Sequence, residues 1–106
     1  MHKFDLNNST AIITGGAQGF GLDIARRFLD SGAKVIIWDI DEDELIKASN
    51  KLNNSNLKYN VVDVSNYNEV NDTVEIITKT SKIDILINNA GITGSTSSLW
   101  DYDVDE

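Results

Sequence analysis

Short apolar runs alternate with amphipathic stretches along this chain. The first run, TAIIT at 10–14, is rich in β-branched residues and predicts a buried strand. Gly21, Ile24, Ala25, Phe28 and Leu29 then fall on one face of a helix, which Gly32 stops. KVIIWD at 34–39 predicts a second strand. Asp41 and Glu44 have the spacing of a capping box, and the helix they open carries Leu45, Ala48 and Leu52 on one side. The polar run NNSN at 53–56 is a loop, and LKYNVVDV at 57–64 holds a third strand. Ser65 or Asn66 can cap a helix with Val70, Val74 and Ile77 facing inward. KIDILIN at 82–88 predicts a fourth strand, NAGITGSTSS at 89–98 a polar loop, and LWDYDVDE the opening of another helix.

This alternation predicts an α/β fold. Near-continuous apolar strands are buried on both faces, which requires a parallel sheet with helices on each side. The expected architecture is a doubly wound, Rossmann-like sheet in the order 3-2-1-4, ending after about four strands. Its growth reverses between strands 1 and 4, and ligands bind at such a switch point. The two lips there are the loops Gly15–Gly21 and Asn88–Ser98.

Composition narrows the class. The 106 residues make one small domain, read as 1–106, the N-terminal portion of a longer single-domain protein. No apolar run approaches the ~20 residues that span a bilayer, and no secretory signal is visible. Cysteine is absent, so disulfides and thiolate metal sites are ruled out, in keeping with a cytoplasmic protein. Seventeen acidic residues against nine basic ones give a net charge of −8, which argues against nucleic acid or an anionic membrane as partner. The acidic clusters at 39–44 and 101–106 read as solvated helix starts, Asp39 excepted. The only histidine, His2, lies near the start of the chain and is given no role.

Candidate chemistry begins at TGGAQGFG, 14–21, directly behind the first strand. A helix N-terminus offers unpaired N–H groups and a partial positive charge to a phosphate. A dinucleotide pyrophosphate reaches them only where no Cβ intervenes. Gly15 would allow the turn out of the strand, Gly19 the approach of the phosphates, and Gly21 close packing of helix on sheet. The spacing is G-x-x-x-G-x-G, and a plain structural turn is the alternative.

Asp39 ends the second strand 18 residues after Gly21. That is the interval for an acid that binds the adenosine ribose hydroxyls. Such a carboxylate repels a 2′-phosphate, and no Lys or Arg lies in the loop or just after Asp39. NAD is therefore expected over NADP. NNAG at 88–91 leaves the fourth strand at the switch point. Its amides can tie backbone groups together, and Ala90 and Gly91 leave room for a flat ligand.

These residues resemble the short-chain dehydrogenase/reductase family. TGGAQGFG fits its T-G-x-x-x-G-x-G, NNAG fits its second hallmark, and DV at 63–64 matches the pair placed against adenine. The resemblance covers essentially the whole chain. It implies hydride transfer between a nicotinamide cofactor and an alcohol or ketone. Gly15, Gln18, Gly19, Phe20 and Gly21 would line the pyrophosphate. Asp39 and Ile40 would lie by the adenosine ribose, and Asp63 and Val64 by adenine. Asn89, Ala90 and Gly91 would lie by the nicotinamide-side ribose and support the sheet.

The family's catalytic residues are an Asn, a Ser, and a Tyr and Lys spaced Y-x-x-x-K. Four residues after Tyr59, Tyr67 and Tyr102 stand Asp63, Asn71 and Glu106. Ser95, Ser97 and Ser98 lie too early for the serine. No catalytic residue is therefore assigned, and the chain is expected to be inactive alone. The parent is expected to be a homo-oligomer acting on a small-molecule alcohol or ketone. Two alternatives stand beside this reading. One is a non-catalytic nucleotide-binding module or degenerate relative. The other is a methyltransferase, against which NNAG and the glycine spacing speak.

Overall fold

The computed structural model describes residues 6–89. Strand β1 (Thr10–Thr14) leads to helix α1 (Gly19–Asp30), β2 (Lys34–Asp39), α2 (Glu42–Leu52), β3 (Leu57–Val61), α3 (Tyr67–Thr78) and β4 (Ile85–Asn88). The four strands form one sheet in the order β3-β2-β1-β4, and every pairing is parallel. The order and the doubly wound class are those read from the sequence. No helix among the described residues is long and apolar enough to cross a membrane.

Successive side chains of a strand point to opposite faces, so each strand feeds two cores. Ile13, Val35, Ile37 and Leu57 pack with Ala25 and Leu29 of α1 and Leu45 and Ala48 of α2. Ile12, Ile36, Trp38 and Val62 pack on the other side with Val70 and, from α3 and β4, Val74, Ile77 and Leu86. Ile12, Ile13, Ile37 and Trp38 are wholly buried. This two-sided covering is why the strands read as unbroken apolar runs.

The helix ends follow from local hydrogen bonding. At the end of α1, Gly32 has φ +94°, and its N–H donates to Leu29 O while Ala33 N–H donates to Phe28 O. That pair of bonds is a Schellman stop, which favours glycine at the left-handed position. Asp41 caps α2 by accepting from Glu44 N–H at 3.2 Å. The reciprocal half of a capping box does not form there. Asp41 N–H donates instead to Asp39 Oδ1, and Glu44 pairs with Lys47 at 3.5 Å. Asn66, rather than Ser65, caps α3.

Two strands are shorter than the apolar runs that contain them. The β3 ladder stops at Val61, because Asp63 N–H turns to Glu69 Oε1 at 2.8 Å. The β4 strand starts at Ile85, and just ahead of it Asp84 N–H donates to Thr10 O at 2.9 Å while the Asp84 carboxylate takes the Thr10 N–H at 3.0 Å.

Candidate functional site

In a parallel sheet all strand C-termini lie along one edge. Thr14, Trp38 and Asn88 stand side by side there, with Asp39 one residue beyond and paired with Val61. The described residues among those singled out from the sequence therefore converge on this edge. Ala90 and Gly91 lie outside the described residues, as do loop 90–98 and the helix expected after it.

The turn out of β1 is built on Trp38. Its carbonyl accepts from both Gly15 N–H (2.8 Å) and Gly16 N–H (3.3 Å), pulling the loop over β2. Gly15 sits at φ +64° and Gly19 at φ +56°. A Cβ on Gly19 would meet nothing within 4 Å. The backbone there is thus open on its outer side and held in a conformation that other residues rarely adopt. A Cβ on Gly21 would collide with Gly15 O and stand 2.8 Å from Gly15 C and Gly16 Cα. Gly21 is therefore the contact by which α1 packs on its own loop.

The N-terminus of α1 differs from those of α2 and α3. Asp41 and Asn66 cap the other two, and acidic residues occupy their first turns. Gln18, at the head of α1, makes no side-chain cap, and the first turn holds no acid. Among the described residues, no acceptor receives the N–H groups of Gly19, Phe20 or Gly21. The first N–H groups of a helix have no partner inside it. The backbone is open at Gly19, beside Phe20, which is 75% exposed. A phosphate fits both the charge and the space.

Asp39 is half-buried at the end of β2. Its Oδ1 accepts from Asp41 N–H at 3.2 Å, which fixes the carboxylate. Its Oδ2 accepts nothing from the described residues. The residue thus begins the next turn and still keeps an acceptor for a ligand. Ile40 beside it is 66% exposed.

Asp63 and Val64 follow β3 on the same edge. Asp63 Oδ1 accepts from the Ser65 hydroxyl at 2.6 Å and from Ser65 N–H at 3.0 Å. The hydroxyl bond first, then the backbone bond, holds the Asp63 carboxyl below its ordinary range, against a smaller opposing effect of burial. Val64 packs against the core on the α3 side.

Across the switch point, Asn89 N–H donates to Thr14 Oγ1 at 2.9 Å, and Asn89 Nδ2 donates to Gly15 O at 3.3 Å. Asn89 therefore joins the two lips. Thr14 is a fixed position of the glycine-loop motif, but sequence pattern alone gives neither its bond to Asn89 nor the packing of Gly16. Thr14 is a buried polar side chain at the end of an apolar strand, which demands a partner. Gly16 lies against Ile37, where a Cβ would come within 2.6 Å of Ile37 Cγ2.

Comparison with known proteins decides the family. The family model described as short chain dehydrogenase matches residues 9–106. The chain belongs to the short-chain dehydrogenase family. It is 38% identical over 106 residues to short-chain dehydrogenase reductase 3c of Arabidopsis thaliana, covering 99% of this chain and 41% of that protein. It is 35% identical to 2-dehydro-3-deoxy-L-rhamnonate dehydrogenase (NAD(+)) of a Sphingomonas species, covering 90% of this chain and 38% of that protein. Among solved structures, the Pseudomonas aeruginosa RhlG/NADP active-site complex superposes with a TM-score of 0.76 at 30% identity. That match covers 96% of this chain and 42% of the other. The chain thus spans about two fifths of the length of these proteins.

Proposed function

We infer that this chain is the NAD-binding, N-terminal portion of an oxidoreductase that moves hydride between nicotinamide and an alcohol or ketone. The observation that carries the reading is the pairing of the uncapped, Cβ-free start of α1 with the fixed carboxylate of Asp39 on the same sheet edge. Gly15, Gln18, Gly19, Phe20 and Gly21 hold the pyrophosphate, with the N–H groups of the first turn as donors. Asp39 Oδ2 accepts from the adenosine ribose, and Ile40 covers it. Asp63 and Val64 flank adenine. Asn89, with Ala90 and Gly91, borders the nicotinamide-side ribose.

The cofactor is NAD in preference to NADP. Names of relatives do not decide this, since one specifies NAD(+) and a structural neighbour is an NADP complex. Asp39 argues for NAD by charge, because a carboxylate beside a 2′-phosphate is repelled at short range. No basic residue in Gly15–Gly21 or at 40–41 offsets it.

When bound, the nicotinamide ring supplies or accepts the hydride. The residues along this sheet edge bind and orient the cofactor. The proton of the alcohol is handled elsewhere in the parent, since no tyrosine of this chain stands four residues before a lysine. The parent is a cytoplasmic homo-oligomer in this reading. The test is NADH-dependent reduction of a ketone panel by the protein as its gene encodes it, with direct titration of NADH and S-adenosylmethionine. NADH binding with turnover supports the reading. NADH binding without turnover on any substrate favours a nucleotide-binding module, and binding of S-adenosylmethionine alone overturns both.

A further inference from the structure

The opposite edge of the sheet carries a second feature. Helix α3 leaves the C-terminal end of β3 and must reach the N-terminal end of β4, three strands away in the sheet. It therefore crosses the sheet obliquely and, among the described residues, leaves one corner uncovered. There, at the start of β2 and along β3, lies a hollow of about 420 Å³. Lys34, Ile36, Lys58 and Asn60 line it from the sheet, and Ile76 and Thr80 from the end of α3.

Its chemistry departs from that of the whole chain. The protein has 17 acidic residues and a net charge of −8, yet none of the thirteen lining residues is acidic. Lys34 and Lys58 are exposed and form no ion pair among the described residues. Both lie on the α3 face, by strand alternation from Ile36 and by the pairing of Ile36 with Lys58. That diagonal puts their Cα atoms about 8 Å apart, from the strand spacing and rise. Two flexible ammonium groups so placed can converge on a single anion.

The remaining groups complete a donor set. Asn60 Oδ1 accepts from the buried Trp38 Nε1 at 3.2 Å, which turns the Asn60 amide nitrogen into the group left to donate. No acceptor among the described residues takes it. The Asp84 carboxylate, near the Thr10 end, is occupied by Thr10 N–H at 3.0 Å and by Lys82 at 3.9 Å. Ile36 and Ile76, the latter 66% exposed, give the hollow an apolar wall. Its volume is that of a small-molecule site.

We propose that this corner binds a phosphate monoester with a short apolar tail, the phosphate bridging Lys34 and Lys58 and the tail lying against Ile36 and Ile76. The site is separate from the dinucleotide site, because Lys34 and Lys58 stand at the N-terminal ends of β2 and β3, with Asn60 reaching from them toward Trp38. Hexyl phosphate is the probe, titrated into the protein as its gene encodes it and followed by calorimetry and backbone amide shifts. Saturable binding is expected, with shifts at Lys34, Lys58 and Asn60. The double variant K34Q/K58Q should bind at least tenfold more weakly, with unchanged thermal unfolding and NADH affinity. Each single variant should show an intermediate loss. Equal affinity in the double variant, or shifts confined to Gly15–Gly21, would overturn the proposal. So would binding of 1-hexanol or of inorganic phosphate as tight as that of hexyl phosphate. An acidic peptide that shifts these lysines where hexyl phosphate does not would overturn it in favour of a protein partner.

Discussion

Thr14 and Asn88 stand opposite each other on β1 and β4, and the Thr14 hydroxyl donates to Asn88 Oδ1 at 3.0 Å. Thr14 Oγ1 in turn accepts from Asn89 N–H at 2.9 Å. One buried hydroxyl thus ties the strand before the glycine loop to the strand before NNAG. Removing it leaves a donor and an acceptor unsatisfied. Thr14→Val should cost about 1–3 kcal/mol of stability. Denaturant unfolding of the two proteins measures this, and an unchanged midpoint would show that water replaces the hydroxyl at no cost.

Gly19 and Gly21 should separate into a binding residue and a packing residue. Gly19→Val puts a side chain in open space but at φ +56°, a strain of roughly 1–2 kcal/mol. NADH affinity should fall by more than about tenfold, or roughly 1.4 kcal/mol. Gly21→Ala drives a methyl group into the Gly15 backbone and should cost about 1–3 kcal/mol of stability through overpacking. Paired thermal melts and NADH titrations distinguish them. If Gly19→Val unfolds the protein while the folded fraction still binds NADH normally, Gly19 is only a turn residue.

Much of the fold and of the glycine loop is legible in the amino-acid sequence. The four strands can be read because each is covered on two faces. The glycine loop can be read because positive φ, at Gly15 and Gly19, and close backbone packing, at Gly21, favour glycine. Side-chain bonds that end or divert an element are not legible. Nothing in LKYNVVDV marks Val61 as the last ladder residue, since the diversion is made by Glu69, six residues beyond Asp63. Nothing in KIDILIN shows that the Asp84 carboxylate accepts from the Thr10 N–H, 74 residues away. Only half of the Asp41 capping box forms for the same reason, because Asp39 takes the second bond. The motif NNAG points to Asn89, but nothing local to it points to Thr14 as its partner.

The bonds from Ser65 make the Asp63 carboxyl a stronger acid than usual. A carboxyl depressed in the folded state adds stability above its unfolded pKa. That contribution is lost as pH falls through the folded value. Ser65→Ala removes the larger of the two causes, so the Asp63 pKa should rise toward the ordinary carboxyl value. The acid limb of the stability profile should begin at a higher pH. Carboxyl NMR titration of both proteins reads the shift directly, and identical curves would place the cause elsewhere.

Among the described residues β4 ends the sheet, and its four residues are all half-buried. A paired strand on its outer side would complete the ladder, whereas an open edge invites association. Expressed as 106 residues alone, the chain should associate and show no ketone reduction. Sedimentation and amide exchange test this. A monodisperse monomer with slow exchange along Ile85–Asn88 would contradict it, as would turnover above the blank.

The central claim is that Asp39 and the open start of α1 form an NAD site. Equilibrium titration of the gene-encoded protein with NADH and with NADPH tests it most directly. NADH should bind more tightly by about 1–3 kcal/mol, from the charge-assisted ribose bonds and the repelled 2′-phosphate. Asp39→Ala should narrow that gap, mainly by weakening NADH. Equal affinities for the two cofactors in the unmutated protein, or tighter binding of NADPH, would contradict the account.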